Sequence, residues 1–161
     1  MYAGMWLALL AVLFIGVDGW MEHSRNPNAT VTTQQLPDGG HEVVLQRNRL
    51  GHYVATGAIN GEEVRFMLDT GASDVAIPGP IADELGLQRG RRAIYQTANG
   101  TAVAYATTLD RVSLGGIELR NIQASINPRM SEDVGVLLGM SFLRHLEFVQ
   151  RDGALTLRQN P

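Results

Sequence analysis

The 161-residue chain has no cysteine, which excludes disulfides, thiolate nucleophiles and cysteine-based zinc sites. Its histidines, His23, His41, His52 and His145, are scattered without the spacing that converges ligands on an ion, so neither a metal nor another cofactor is expected. A basic block is missing too. With 13 Lys and Arg against 16 Asp and Glu, the formal net charge is −3 and nothing in the chain would track a phosphate backbone, so nucleic acid is not an expected partner. Helix-forming stretches are few, and no internal repeat or low-complexity tract follows residue 41. At this length the chain suffices for one domain with a real core.

What is present begins with residues 2–17, an uncharged run rich in Leu, Ala, Val, Trp and Phe. As a helix it would reach about 24 Å, slightly short of a bilayer core. Gly19, Trp20 and Met21 would extend it past Asp18, with Trp20 at headgroup level. The expectation is a transmembrane anchor over residues 1–21. A cleaved signal peptide is the rival reading, but no Lys or Arg precedes the run and no clear small-x-small site follows it. An N-terminal core helix would carry an apolar stripe, whereas this run is apolar all round. Arg25, the nearest flanking charge of positive sign, points to a cytoplasmic C-terminus. Residues 22–40 are polar and turn-rich, with Asn26-Pro27-Asn28 and Pro37-Asp38-Gly39-Gly40, and read as a flexible tether. The folded unit is expected over 41–161.

Within that unit, short apolar runs alternate with turn residues: 42–46, 52–59, 63–68, 93–97, 102–106, 109–114 and 117–126. This spacing predicts an all-β fold. Asn60-Gly61 and Asn99-Gly100 each separate two such runs and suit the positive-φ positions of a tight hairpin, and Gly115-Gly116 and Asp152-Gly153 are further candidates. One short helix is expected over 80–85, with Pro80 inside its start and Gly86 past its end, and a second turn or two over 141–145.

Phe66-Met67-Leu68 leads straight into Asp69-Thr70-Gly71-Ala72-Ser73, so a carboxylate stands where a buried strand opens into a glycine turn. Such a strand fixes the Asp backbone, Gly71 admits a substrate main chain, and the Thr70 hydroxyl can brace the loop. A plain strand-to-turn exit would use the same residue types. An Asp-Thr-Gly-Ala string, however, arises by chance in only about a few of every thousand chains this long. A second apolar run ending in glycine, Val136-Leu137-Leu138-Gly139, adds specificity.

With this pair the sequence resembles the retropepsin-like aspartic proteases, in particular the bacterial membrane-anchored, retroviral-type branch. The resemblance implies a single-domain closed β-barrel of the acid-protease fold, with Asp69 catalytic. Thr70, Gly71, Ala72 and Ser73 would support its loop, and Leu137, Leu138 and Gly139 would pack in a crossed arrangement against it. It makes the hairpin tip Thr97, Ala98, Asn99, Gly100 and Thr101 a flap that closes over bound peptide, excluding water. Tyr95 and Tyr105 flank that tip.

Peptide hydrolysis of this kind needs two carboxylates sharing one proton. The chain has one Asp-Thr-Gly, so a homodimer acting on peptide or protein substrates is expected. The resemblance also implies that terminal strands, here 154–157, enter the dimer sheet. It places the anchor in a bacterial inner membrane with the protease domain in the periplasm, against the sign of Arg25. The alternative function is a catalytically idle, membrane-tethered module of the same fold that binds peptide or dimerises.

Overall fold

The computed structural model describes residues 13, 17, 20–97 and 100–161. Eleven strands are described: β1 Thr33–Gln35, β2 His41–Gln46, β3 Val54–Ile59, β4 Glu62–Leu68, β5 Val75–Pro78, β6 Arg92–Thr97, β7 Gly100–Leu114, β8 Ile117–Asn127, β9 Val136–Leu138, β10 Glu147–Arg151 and β11 Ala154–Gln159. Among the described residues, helix is found at 13, 17 and 20–25, at Gly79–Glu84 and at Met140–Leu143, with a 3₁₀ turn at Glu132–Val134. The mainly β expectation holds.

Seven strands form one sheet in the order β3-β4-β9-β5-β8-β7-β6. A further pairing of β3 with β7, Ala58 to Ser113 and Ile59 to Val112, closes the first six into a ring. Its interior is filled by Ile59, Phe66, Ile77, Leu109, Ile126 and Leu138, all fully buried. A second sheet, β1-β2-β11-β10, packs Val43, Leu45 and Leu157 against the same core. The expected turns recur where the chemistry demanded them: Asn60 and Gly61 take φ of 54° and 95°, and Asp152 and Gly153 take 50° and 80°.

Several elements differ from expectation. The runs at 102–106 and 109–114 are one strand, β7, because β-branched Thr107 and Thr108 between them continue extended backbone. Residues 75–78 and 147–151 are strands created by their neighbours, not by an alternating pattern. The segment expected to be a tether is docked over much of its length. Asn26 and Asn28 are buried, and the Asn28 side chain donates to the Gln46 and Val54 carbonyls at 2.9 and 2.7 Å while accepting from Gln46 N–H at 2.7 Å. It thereby splices β2 to β3. β1 then pairs with β2, and Thr33 Oγ accepts from Gly116 N–H. Composition marked this stretch as turn-rich, but long-range acceptors hold it down.

The anchor expected over 1–21 falls almost wholly outside the described residues. Among the described residues, no helix is long and apolar enough to cross a membrane.

Candidate active site

β4 carries its apolar side chains into the ring and ends at Leu68, leaving Asp69 at the exit. Two strands fix that exit. Leu68 N–H donates to the Tyr53 carbonyl at 3.0 Å, and Asp69 N–H donates to the Leu138 carbonyl at 3.2 Å. β9 runs parallel to β4 with Met67 beside Leu137 and Leu68 beside Leu138, and it also meets β5, Ala76 beside Leu137. The chain after β9 then crosses the Asp69 loop: Met140 N–H donates to the Ala72 carbonyl at 2.8 Å and Ser141 N–H to the Ser73 carbonyl at 3.0 Å. At the crossing only glycine fits. A Cβ on Gly139 would lie 2.7 Å from the Ala72 carbonyl oxygen and closer still to that of Asp74. The two sequence motifs, far apart in the chain, are therefore one packing unit.

Within the loop, Asp69 is half-buried and its Oδ1 accepts from Gly71 N–H at 2.8 Å. The Ala72 N–H donates to the Asp69 carbonyl at 3.2 Å, so the carboxylate is oriented by main chain. Thr70 and Ser73 are exposed and Ala72 half-buried. A cavity of about 370 Å³ opens beside the carboxylate, lined by Asp69, Ala72, Asp74, Tyr95, Ser125 and Leu137 among others. A second, of about 310 Å³, reaches Asp69 and Thr70 from the other side, where Tyr53, Phe148 and Leu157 border it.

The β6–β7 hairpin lies over the first cavity, with Tyr95 opposite Ala102 and Gln96 opposite Thr101. Of the expected flap tip, Thr97, Gly100 and Thr101 are described at the strand ends, and Ala98 and Asn99 lie outside the described residues. Tyr105 is half-buried and packs against the core instead of the cavity.

Sequence reasoning missed the polar group that joins the hairpin to the loop. Asp74 Oδ2 accepts from the Tyr95 hydroxyl at 3.0 Å and its Oδ1 accepts from Ser125 Oγ at 2.9 Å. Burial pushes the Tyr95 phenol above its ordinary value, and the hydrogen bond to Asp74 and that carboxylate's charge push the same way. The phenol stays a donor across the neutral range. Ser125 and Asn127, polar residues at the buried end of β8, were the available signal. Ser141 was also missed: buried, it accepts from Val75 N–H at 3.1 Å and donates to the Gln123 carbonyl at 2.7 Å, binding β5 and β8 to the crossing.

A family described as "gag-polyprotein putative aspartyl protease" matches residues 55–145, a span that contains both the Asp69 loop and the crossing. The chain belongs to the retropepsin-like aspartic proteases. A crystal structure of a retropepsin-like aspartic protease from Rickettsia conorii is 32% identical, with a TM-score of 0.63, over 81% of this chain and 96% of that one. The EIAV protease complexed with the inhibitor HBY-793 matches at TM-score 0.50 and 17% identity, covering 62% of this chain and 92% of that one, and so shares the fold. An uncharacterised protein encoded in the cobV 5′ region of a Sinorhizobium species is 38% identical over 134 residues, 81% of this chain. The retropepsin-like chain spans 56% of that relative's length.

Proposed function

We propose that the chain is an aspartic endopeptidase that hydrolyses peptide bonds through a water held between two Asp69 carboxylates, one from each subunit of a homodimer. The observation that carries this reading is the contrast between the two carboxylates of one loop. Asp69 is tied through Oδ1 to its own loop's Gly71 N–H and borders both cavities. Asp74 has both oxygens engaged by hydroxyl donors, Tyr95 and Ser125, and so is not free to grip a water. The second carboxylate must then come from a second copy.

In that arrangement the ionised carboxylate takes a proton as water adds to the scissile carbonyl carbon, while the protonated one gives its proton to the carbonyl oxygen. Collapse of the tetrahedral species breaks the C–N bond, and the amine leaves with a proton returned from the pair. Thr70, Gly71, Ala72 and Ser73 hold the loop, Leu137, Leu138 and Gly139 back it, and residues 97–101 form the flap tip that covers the substrate.

The apolar run at 1–21 supports anchoring in a bacterial inner membrane, and the resemblance supports a periplasmic protease domain. A membrane would concentrate the monomers in a plane. Reporter fusions at the C-terminus that are active only in the cytoplasm would refute that orientation.

The proteolytic reading is tested by comparing wild type with Asp69→Asn for self-cleavage and for digestion of an unfolded test protein, with and without a transition-state-mimicking peptide inhibitor. The variant is expected to lose activity by about a thousandfold or more. Equal cleavage by both proteins would sink the assignment.

A further inference from the structure

The cavity of about 370 Å³ beside Asp69 holds a negative charge that no cation of the chain offsets. All 13 basic residues are arginines, and every one of them, like every histidine, lies among the described residues. None lines this cavity. Asp74, half-buried in its lining, belongs to no ion pair among the described residues. Its two donors, the Tyr95 hydroxyl at 3.0 Å and Ser125 Oγ at 2.9 Å, are neutral. They orient the carboxylate and leave its charge in place. An ionised carboxylate has about four acceptor positions, so two bonds leave room on it for a guest donor.

The walls define the rest of that guest. Ala72, Ala76, Ala102 and Ala104 are small and leave depth, and Met130 and Leu137 are apolar. An apolar stem with a cationic head fits such a pocket, as in lysine and arginine. A wholly apolar side chain would cut the Asp74 charge off from water without replacing it, and an acidic one would be repelled.

We propose that Asp74 makes the peptidase select substrates with a lysine or arginine near the scissile bond, the head on Asp74 and the stem along the alanine wall. The inference rests on the proteolytic reading above and names the class of side chain that its site prefers. Asp69 and Asp74 line the same cavity, so the selected residue stands close to the bond that is cut. In a two-fold dimer each subunit brings one such pocket, and the preference recurs on both sides of that bond.

A plainer role for Asp74 is a peg that ties the hairpin to the loop. The two roles differ in what they move: losing a peg slows every peptide alike, whereas losing a selector changes their order. Digestion of an unfolded test protein by the full-length wild type, with the cut sites sequenced, is expected to show lysine and arginine enriched at one position near the cut. Two peptides that differ there only in lysine against norleucine, which keeps the stem and lacks the ammonium, should differ in kcat/KM by about tenfold or more in favour of lysine. In Asp74→Asn, which keeps a carbonyl acceptor for the hydroxyls, that ratio should fall to about one. Asp74→Glu keeps the charge and should retain a preference for lysine.

An active wild type with no basic enrichment near its cuts overturns the selector and leaves the proteolytic reading standing, whether or not the variants fold. Equal loss on both peptides in Asp74→Asn does the same, and so does a glutamine peptide cut as fast as the lysine one, since charge would then count for nothing. Cleavage that persists unchanged in Asp69→Asn overturns both readings.

Discussion

At Gly139 the backbone passes so close to the Asp69 loop that a single added Cβ would strike the Ala72 carbonyl oxygen, whereas the β6–β7 hairpin reaches the same loop through the hydroxyl of Tyr95. One contact is main chain against main chain, without room for adjustment. The other is a side-chain tip that can let go. A protease needs both, because the carboxylate must be held to a fraction of an ångström while its cover opens for each substrate. The stabilities of the two regions should therefore differ sharply under mutation.

The largest effect is expected at the crossing. Gly139→Ala should cost about 3–5 kcal/mol, since backbone cannot yield as a flexible side chain would. Urea unfolding measures it, and a loss under about 1 kcal/mol would show that the crossing is looser than described. Ser141→Ala comes next, at about 1–3 kcal/mol, because it strands the Val75 N–H and the Gln123 carbonyl in the interior. On the hairpin side, Tyr95→Phe should leave global stability almost unchanged and weaken peptide binding by about 0.5–1.5 kcal/mol, read as a rise in KM at constant kcat.

That Tyr95 effect carries a pH signature. With its pKa raised in the folded protein, the phenol contributes below the ordinary tyrosine value of 10.0 and the contribution is lost as pH climbs through the raised one. The difference between wild type and Tyr95→Phe should be level across neutral pH and fade only in strong alkali; a difference that vanishes between pH 6 and about 8 would assign it elsewhere. The smallest change is expected at Ile94, 68% exposed on the outer strand of the hairpin, where Ala should shift stability by no more than about 0.5 kcal/mol. A larger loss would mean that the hairpin packs on something outside the described residues.

The same contrast explains what could be read from the amino acids alone. Asp69-Thr70-Gly71 and Leu137-Leu138-Gly139 were legible because each needs particular residue types in a local string, and the Asn-Gly and Asp-Gly turns because their φ angles demand them. Asp74, Ser125 and Tyr95 were not assembled, since each is an ordinary polar residue whose partner is set by register across three strands. β10 had no alternating pattern to find. Asn26 and Asn28 resembled linker residues because a side chain that splices two strands has the same composition as one that binds water.

β7 runs unbroken from Gly100 at the far end of the β6–β7 hairpin to Leu114 at the closure of the ring, and its pairing with β8 begins only at Tyr105. The stretch from 100 to 104 overhangs by about 17 Å at ~3.4 Å per residue, clamped at its root and carrying β6 alongside. On the β6 side of that root stands Gly90, whose N–H donates to the Ala106 carbonyl at 2.9 Å, and β6 itself begins only at Arg92. In the proposed protease the overhang would open by bending from its clamp on β8, and the strain stored in β7 would return it to the loop once product had left.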